Sequence, residues 1–111
     1  MSWKADIEEN LKFGLVEILV LKMLLEEDMY GYQIKQEISN RSNNAIVIKE
    51  GSLYGPLYRM EKRGMISSTK KVVGEKRFRM YYHIEEPGKE YIEYAIVKFD
   101  EIFNGAKNIL K

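Results

Sequence analysis

The sequence predicts a mainly α-helical protein with a small β-hairpin, a winged helix-turn-helix extended by a C-terminal dimerisation helix. Three observations lead there. Apolar residues recur at helical spacing through the first sixty residues and again from Pro87 onward. Arg77 to Ile84 alternates strictly, with Phe78, Met80, Tyr82 and Ile84 on one face and Arg77, Arg79, Tyr81 and His83 on the other. The resulting order is helix, helix, short strand, helix, hairpin, helix, the arrangement of three helices followed by a two-stranded wing. On this basis residues 1–84 make a winged-helix domain with an N-terminal helix, residues 85–111 make the dimerisation helix, and together they form one compact unit.

Taken in order, residues 5–27 read as helix. The dense run from Leu15 to Leu25, interrupted by Glu17 and Lys22, is too continuous for a surface helix and should be largely buried. Gly14 marks a break between a short first helix and the main one. Asp28 to Gly31 is a connection, and a second helix runs from about Gly31 to Ser39, anchored by Ile34 and Ile38 one turn apart. The polar cluster SNRSNN at 39–44 ends it. Ala45 to Ile48, short and β-branched, suggests a single strand residue pair or an edge strand. A third helix follows from about Ser52 to Arg63, with Ser52 or Gly51 as N-cap and Pro56 near the end of its first turn. Gly64 stands where a left-handed C-terminal residue is wanted. Met65 to Val73 and Arg77 to Ile84 are the strands of the hairpin, joined by Gly74-Glu75-Lys76. In the last helix Ile92, Phe99 and Ala106 recur at seven residues, interleaved with Ala95/Ile96, Ile102/Phe103 and Ile109/Leu110. Such a stripe is wide enough to face both its own domain and a partner helix.

A chain of 111 residues is long enough for one domain, and too small to cover so much apolar surface alone. It has no cysteine, which excludes disulfides, thiolate zinc sites and a cysteine nucleophile and fits a reducing compartment. The N-terminal segment carries acidic residues where a signal peptide would be apolar, and Leu15–Leu25 is too short to span a bilayer. A cytoplasmic protein without membrane contact is expected. The single histidine, His83, lies on the outer face of the hairpin, and no glycine-rich phosphate loop is present. Nothing here assembles a catalytic set, a metal site or a cofactor site, so an enzyme is not expected.

The net charge of +1 hides a strong asymmetry. Residues 1–48 hold five Lys/Arg against eight Asp/Glu (−3), residues 49–83 hold nine against three (+6), and residues 84–111 hold four against six (−2). Positive charge confined to one third of an otherwise acidic chain is the pattern of a nucleic-acid contact surface. Within that third, Leu53, Leu57 and Met60 form the buried stripe of the third helix. Ser52, Tyr54, Tyr58, Arg59, Lys62 and Arg63 are left on its outward faces, with Gly55. Arg can read guanine edges, Tyr can donate to phosphate, and Lys adds unspecific attraction. A solvated amphipathic helix would look similar taken alone. The hairpin carries the same sign, however, with Lys70, Lys71, Lys76, Arg77 and Arg79 around its tip and outer face. A cationic helix beside a cationic wing suits a major groove and its flanking backbone. Charge alone leaves RNA open as a ligand, and a winged helix serving as a protein–protein interaction module without DNA binding remains the competing description.

The segments GSLYGPLYRMEKRGMI at 51–66, YGYQI at 30–34, and Arg77 to Ile84 followed by EEPGKEYIE at 85–93 resemble the PadR family of winged-helix transcriptional regulators. The resemblance covers about residues 13–103, and the short last helix is similar to the smaller subgroup with a single C-terminal dimerisation helix. It implies a homodimer through the C-terminal and N-terminal helices; the heptad stripe puts Ile92, Ala95, Ile96, Phe99, Ile102, Phe103 and Ala106 at that seam, with Trp3 beside it. It implies binding to double-stranded DNA, usually as a repressor on a pseudo-palindromic operator. By position the DNA contacts would be Lys49, Ser52, Tyr54, Tyr58 and Arg59, with Lys62, at the third helix, and Lys76, Arg77 and Arg79 at the wing. Tyr32 would lie near a phosphate. Several members of the family release DNA when a small aromatic or drug-like effector binds, which points to a pocket around Phe99 and Phe103. Three positions depart from the family pattern. Gly55 separates Tyr54 from Pro56, where the proline usually follows the tyrosine directly. Ile84-Glu85-Glu86-Pro87-Gly88 replaces a threonine-capped helix start. Phe99 stands where drug-binding members carry tryptophan.

Overall fold

The structure, a computed structural model, describes residues 3–111. Five helices and three strands follow in the order α1 (Trp3–Lys12), α2 (Leu15–Glu26), β1 (Met29–Tyr30), α3 (Gly31–Arg41), α4 (Glu50–Lys62), β2 (Ile66–Gly74), β3 (Arg77–Ile84) and α5 (Glu86–Leu110). This is a mainly helical winged helix-turn-helix, as the sequence predicts. None of the described helices is long and apolar enough to cross a membrane.

α1 and α2 part at Gly14, whose left-handed backbone (φ +87°) is open to glycine at no steric cost. α2 is then enclosed: Val20, Leu21 and Leu24 are buried, and the helix touches α1, α3, α4, β3 and α5. Ile34 and Ile38 of α3, Leu53, Leu57 and Met60 of α4, Ile66 and Ile84 of the hairpin and Ile92 of α5 complete one core. Burying each such side chain contributes about 1.5–3 kcal/mol relative to exposure. At the surface Arg41 ties α3 to α2, bonding Glu26 at 2.8 Å and Glu37 at 2.9 Å. Its hydrogen bond holds the Glu26 carboxyl below the usual carboxylate range.

Two local expectations are corrected. Ala45 to Ile48 forms no strand. Asn43 and Asn44 both adopt left-handed backbone, Asn44 N–H donates to Ser39 O, and Ile46 N–H donates to the Ser42 hydroxyl. This tight turn directs Ile48 into the core and Ile46 against it, so their β-branched side chains serve packing and not pairing. The third strand comes instead from the expected connection: Met29 and Tyr30 pair antiparallel with Tyr82 and Tyr81, giving the sheet order β1-β3-β2. The second correction is the start of α4, which begins at Glu50 with Lys49 at the N-cap and no side-chain cap. Ser52 therefore sits inside the first turn, and Pro56 lies deeper in the helix than expected. Gly55 before it has no Cβ to clash with the proline ring, which lets the helix continue. Gly64 (φ +75°) closes α4 as expected, with Met65 N–H donating to Met60 O at 2.9 Å.

α5 starts hard against the hairpin. Glu85 N–H donates to Met65 O at 2.9 Å, and Gly88 is buried so closely that a Cβ there would collide with the Met65 carbonyl and the Ile84 side chain. Gly88→Ala should therefore destabilise the fold by at least about 2 kcal/mol, as overpacking does. Chemical denaturation measures it, and a loss smaller than that of an exposed Gly105→Ala control would contradict the packing described.

Candidate nucleic-acid interface

The helix-turn-helix is α3 and α4, joined by residues 42–49. Packing of Leu53, Pro56, Leu57 and Met60 into the core turns Gly51, Gly55, Tyr58 and Lys62 outward by helical periodicity. Tyr58 is exposed and Lys62 Nζ stacks over its ring at 5.3 Å. Tyr54 sits on one flank and leans on the start of α3. A Cβ built on Gly31 would meet its hydroxyl at 3.2 Å. Tyr32, the next residue of α3, is exposed, and its hydroxyl accepts a hydrogen bond from Gln36 Nε2 at 2.8 Å. Lys49 and Ser52 are exposed at the N-terminal end of α4.

Arg59 lies on the opposite flank, with a partner that local spacing does not reveal. Its guanidinium approaches Glu17 Oε1 of α2 at 3.3 Å and 3.4 Å. Glu17 is the acid that interrupts the apolar run of α2, and its side chain is only 16% exposed while that of Arg59 is 53% exposed. The interruption was visible in the sequence; its pairing across 42 residues was not. Arg59 is thus turned toward the α1–α2 junction, away from the line of Tyr58 and Lys62.

The hairpin forms the second part of the surface. β2 and β3 pair from Ile66↔Ile84 to Val72↔Phe78, with a bulge before Gly74↔Arg77. Only the base of the ribbon is buried, at Ile66, Tyr82 and Ile84, and every residue from Thr69 to Met80 is exposed. Burial, with the negative charge of Glu61 beside it, pushes the Tyr82 phenol up and keeps it protonated. Lys76 holds the turn in left-handed backbone (φ +58°). On the outer face Arg79 stacks over Tyr30 at 4.3 Å and Lys71 over Tyr81 at 4.6 Å, and the two tyrosine rings meet edge-on at 5.4 Å. His83 completes that face, its Nδ1 at 2.7 Å from Asp28 Oδ1. Among the described residues none of Lys62, Lys70, Lys71, Lys76, Arg77 and Arg79 is ion-paired. Their partners are aromatic rings or solvent, which leaves the positive charge of this face uncompensated.

The residues expected at a dimer seam divide. Ile92 is fully buried within its own protomer and belongs to the core. Ala95, Phe99 and Ala106 are half-buried, while Ile96, Ile102 and Phe103 are exposed on the projecting half of α5. Phe99 and Phe103 stack with centroids 4.4 Å apart and line an apolar cavity of about 380 Å³ between α5 and the start of α2, together with Phe13, Leu15, Ile18 and Tyr91. A second, more polar cleft of about 670 Å³ lies between the α1–α2 junction and α4 and contains Glu17 and Arg59. Phe13, Gly14 and Tyr91 line both. Phe13 and Tyr91 were not among the residues expected at a pocket.

The chain is similar to known proteins along most of its length. The model of the PadR-like family of transcriptional regulators matches residues 20–94. An uncharacterized protein of Lysinibacillus sphaericus is 39% identical over 96 residues, 86% of this chain and 88% of its own. The structure of a transcriptional regulator from Clostridium thermocellum superposes with a TM-score of 0.85 at 30% identity, covering 92% of this chain and 99% of that one. Bacillus subtilis PadR, crystallised in complex with operator DNA, matches at 18% identity with a TM-score of 0.71, over 76% of this chain and 48% of that one, a likeness of fold.

The Arg59–Glu17 pair is half-exposed and long, so it should be weak. A double-mutant cycle with Glu17→Gln and Arg59→Gln should give a coupling of about 0.5 kcal/mol or less, vanishing in high salt. A coupling above about 2 kcal/mol would mean that Arg59 is locked to α2.

Proposed function

We propose, since the chain belongs to the PadR-like family of transcriptional regulators, that it binds a pseudo-palindromic DNA operator as a homodimer and represses transcription there. The observation that carries this is the unpaired positive charge of α4 and the wing, with Lys62 stacked on Tyr58, Lys70 on Phe78 and, on the wing's other face, Arg79 and Lys71 on tyrosines. Phosphate is the natural counter-charge for cations held on neutral rings. In this reading α4 enters the major groove, Tyr58 and Lys62 face it directly, and Tyr32, Lys49, Ser52 and Tyr54 lie toward the flanking phosphates. Arg59 reaches a base edge by leaving Glu17. Lys76, Arg77 and Arg79 grip the backbone beside it.

The exposed apolar residues of α1 (Trp3, Ile7, Leu11) and of α5 (Ile96, Ile102, Phe103) support the homodimer. A second copy of the chain would cover this stripe and set the two α4 helices about one DNA turn apart. The cavity at Phe99 and Phe103 supports a small aromatic effector: it is apolar, ring-lined and adjacent to that seam.

Fluorescence anisotropy with duplexes from the protein's own upstream region tests the DNA reading. A Tyr54/Tyr58/Arg59→Ala triple variant should lose the preference for the operator over random duplex. Lys76→Asn, which keeps a residue tolerant of the left-handed turn, should weaken all sequences alike and flatten the salt dependence by about one unit per lost phosphate contact. Wild-type protein that binds no duplex would return the protein–protein interaction module to first place.

Phe99→Glu with Ile102→Glu should convert the dimer to a monomer or an unfolded chain, read by light scattering. A well-folded wild-type monomer at micromolar concentration would refute the seam. A panel of planar phenolic and cationic aromatics should contain compounds that raise the melting temperature and weaken operator binding, and Phe103→Ala should abolish both effects. A panel without any such compound would remove the effector from the proposal.

A further inference from the structure

The wing carries an apolar strip that the cationic grip does not use. By strand alternation Ser68, Lys70 and Val72 of β2 share one face with Tyr82, Met80 and Phe78 of β3, and the register pairs them directly: Ser68↔Tyr82, Lys70↔Met80, Val72↔Phe78. At the base this face belongs to the core, where Tyr82 is buried and the Ser68 hydroxyl donates to Glu61 of α4 at 3.0 Å. Toward the tip it leaves the core without becoming polar. Val72 is 81% exposed and Phe78 55%, and the Lys70 ammonium lies 4.0 Å from the centre of the Phe78 ring. The Ser68–Glu61 bond fixes which way the strip looks: it is the wing face turned toward α4.

The Val72–Phe78 cross-strand pair contributes at most about 1 kcal/mol to the ribbon and leaves most of its apolar surface in water, surface that a partner outside the protomer can cover. The surrounding charge selects it. The ribbon from Ile66 to Ile84 carries Lys70, Lys71, Lys76, Arg77 and Arg79 against the single acid Glu75. A second copy of the same strip would set like charges against each other. A polyanion whose groove walls are built from deoxyribose C–H surface matches both the cations and the apolar side chains.

We propose that Val72 and Phe78 form a hydrophobic contact with the minor-groove sugars next to the major groove that α4 enters. This rests on the DNA reading above and adds the source of the wing's affinity: the wing holds DNA by apolar packing as well as by charge. The apolar part is insensitive to salt, because no counterion is released when sugar meets a phenyl ring.

That difference is the test. Operator affinity of the full-length protein is measured by anisotropy at several salt concentrations for wild type, Lys76→Asn and the pair Val72→Thr with Phe78→Thr, threonine being chosen to keep strand propensity. The apolar pair should bind about ten-fold more weakly at every salt concentration, with the wild-type slope. Lys76→Asn should change the slope. Unchanged affinity of the Val72→Thr/Phe78→Thr variant, in a protein whose wild type binds operator, overturns the sugar contact and leaves the DNA reading standing. A loss of affinity with a flattened slope also overturns it, since the residues would then act only through their cations. A variant that keeps DNA affinity but falls to a smaller mass in light scattering would assign the strip to a second copy, against the proposal. Wild type that binds no duplex fails the DNA reading itself, and this contact with it.

Discussion

The enclosure of α2 is the constraint on which the other elements depend. The fully buried Val20, Leu21, Met23 and Leu24 take one side of α2, and the half-buried Ile18 and Leu19 extend the packed arc around most of its circumference, so α1, α3, α4, β3 and α5 lie against it. A helix apolar on so much of its circumference has no stable exposed state, and the elements around it take their angles from its grooves. The one acid on its buried half, Glu17, sits where the helix emerges toward α4 and takes Arg59 as its partner. The orientation of an α4 side chain thus follows from the way α2 is buried.

The same economy of elements governs β3. Its lower half pairs on both edges and closes the core through Tyr82 and Ile84, while its upper half, with β2, leaves the protein as the wing. Because one strand serves both ends, the tilt of the wing relative to α4 is fixed by core packing. The cations on it are positioned by stacking on Tyr30, Tyr81 and Phe78, and stacking on a neutral ring orders a long side chain without cancelling its charge. Elsewhere in the protein Arg41 and Lys98 are neutralised by carboxylates. Unlike Arg41, the ring-held cations of the wing keep their charge, which supports the proposed binding face.

Local signals were legible in the sequence and non-local ones were not. Strict alternation in Arg77–Ile84, the glycines at 14 and 64, and the apolar run of α2 each reflect chemistry within a few residues, and each appears in the structure where it was expected. β1 was missed because a two-residue strand has no periodicity; it exists only through its pairing with β3, more than fifty residues away. Ala45–Ile48 misled because β-branched residues fit a core plug as well as a strand, and the turn of Asn43 and Asn44 that decides between them depends on left-handed backbone at two asparagines. Within the site, exposure of Tyr58, Lys62 and the wing cations followed from alternation and helical spacing. The flank positions were ambiguous by the same arithmetic: Tyr54 and Arg59 border the buried stripe, and only Gly31 and Glu17 on other elements decide where they lean. Ile92 was assigned to a partner by its heptad position, whereas its own core claims it completely.

The last element, α5, then reads as two helices in sequence. Its first turns, through Gly88 and Ile92, are part of the winged domain, and its remainder carries an apolar face that the domain does not cover. Phe99 and Phe103 sit at the change of role, where a cavity opens beside the α1–α2 break at Gly14, and no described residue fills it. Phe13, Gly14 and Tyr91 form the wall between this cavity and the cleft that contains Arg59. Contiguity of this kind is a physical path between the two spaces, and it transmits only as much free energy as an occupant's affinity differs between two positions of that wall. A rigid wall would make the spaces independent. The wall here consists of an exposed phenyl ring, a glycine in left-handed backbone and a half-buried tyrosine.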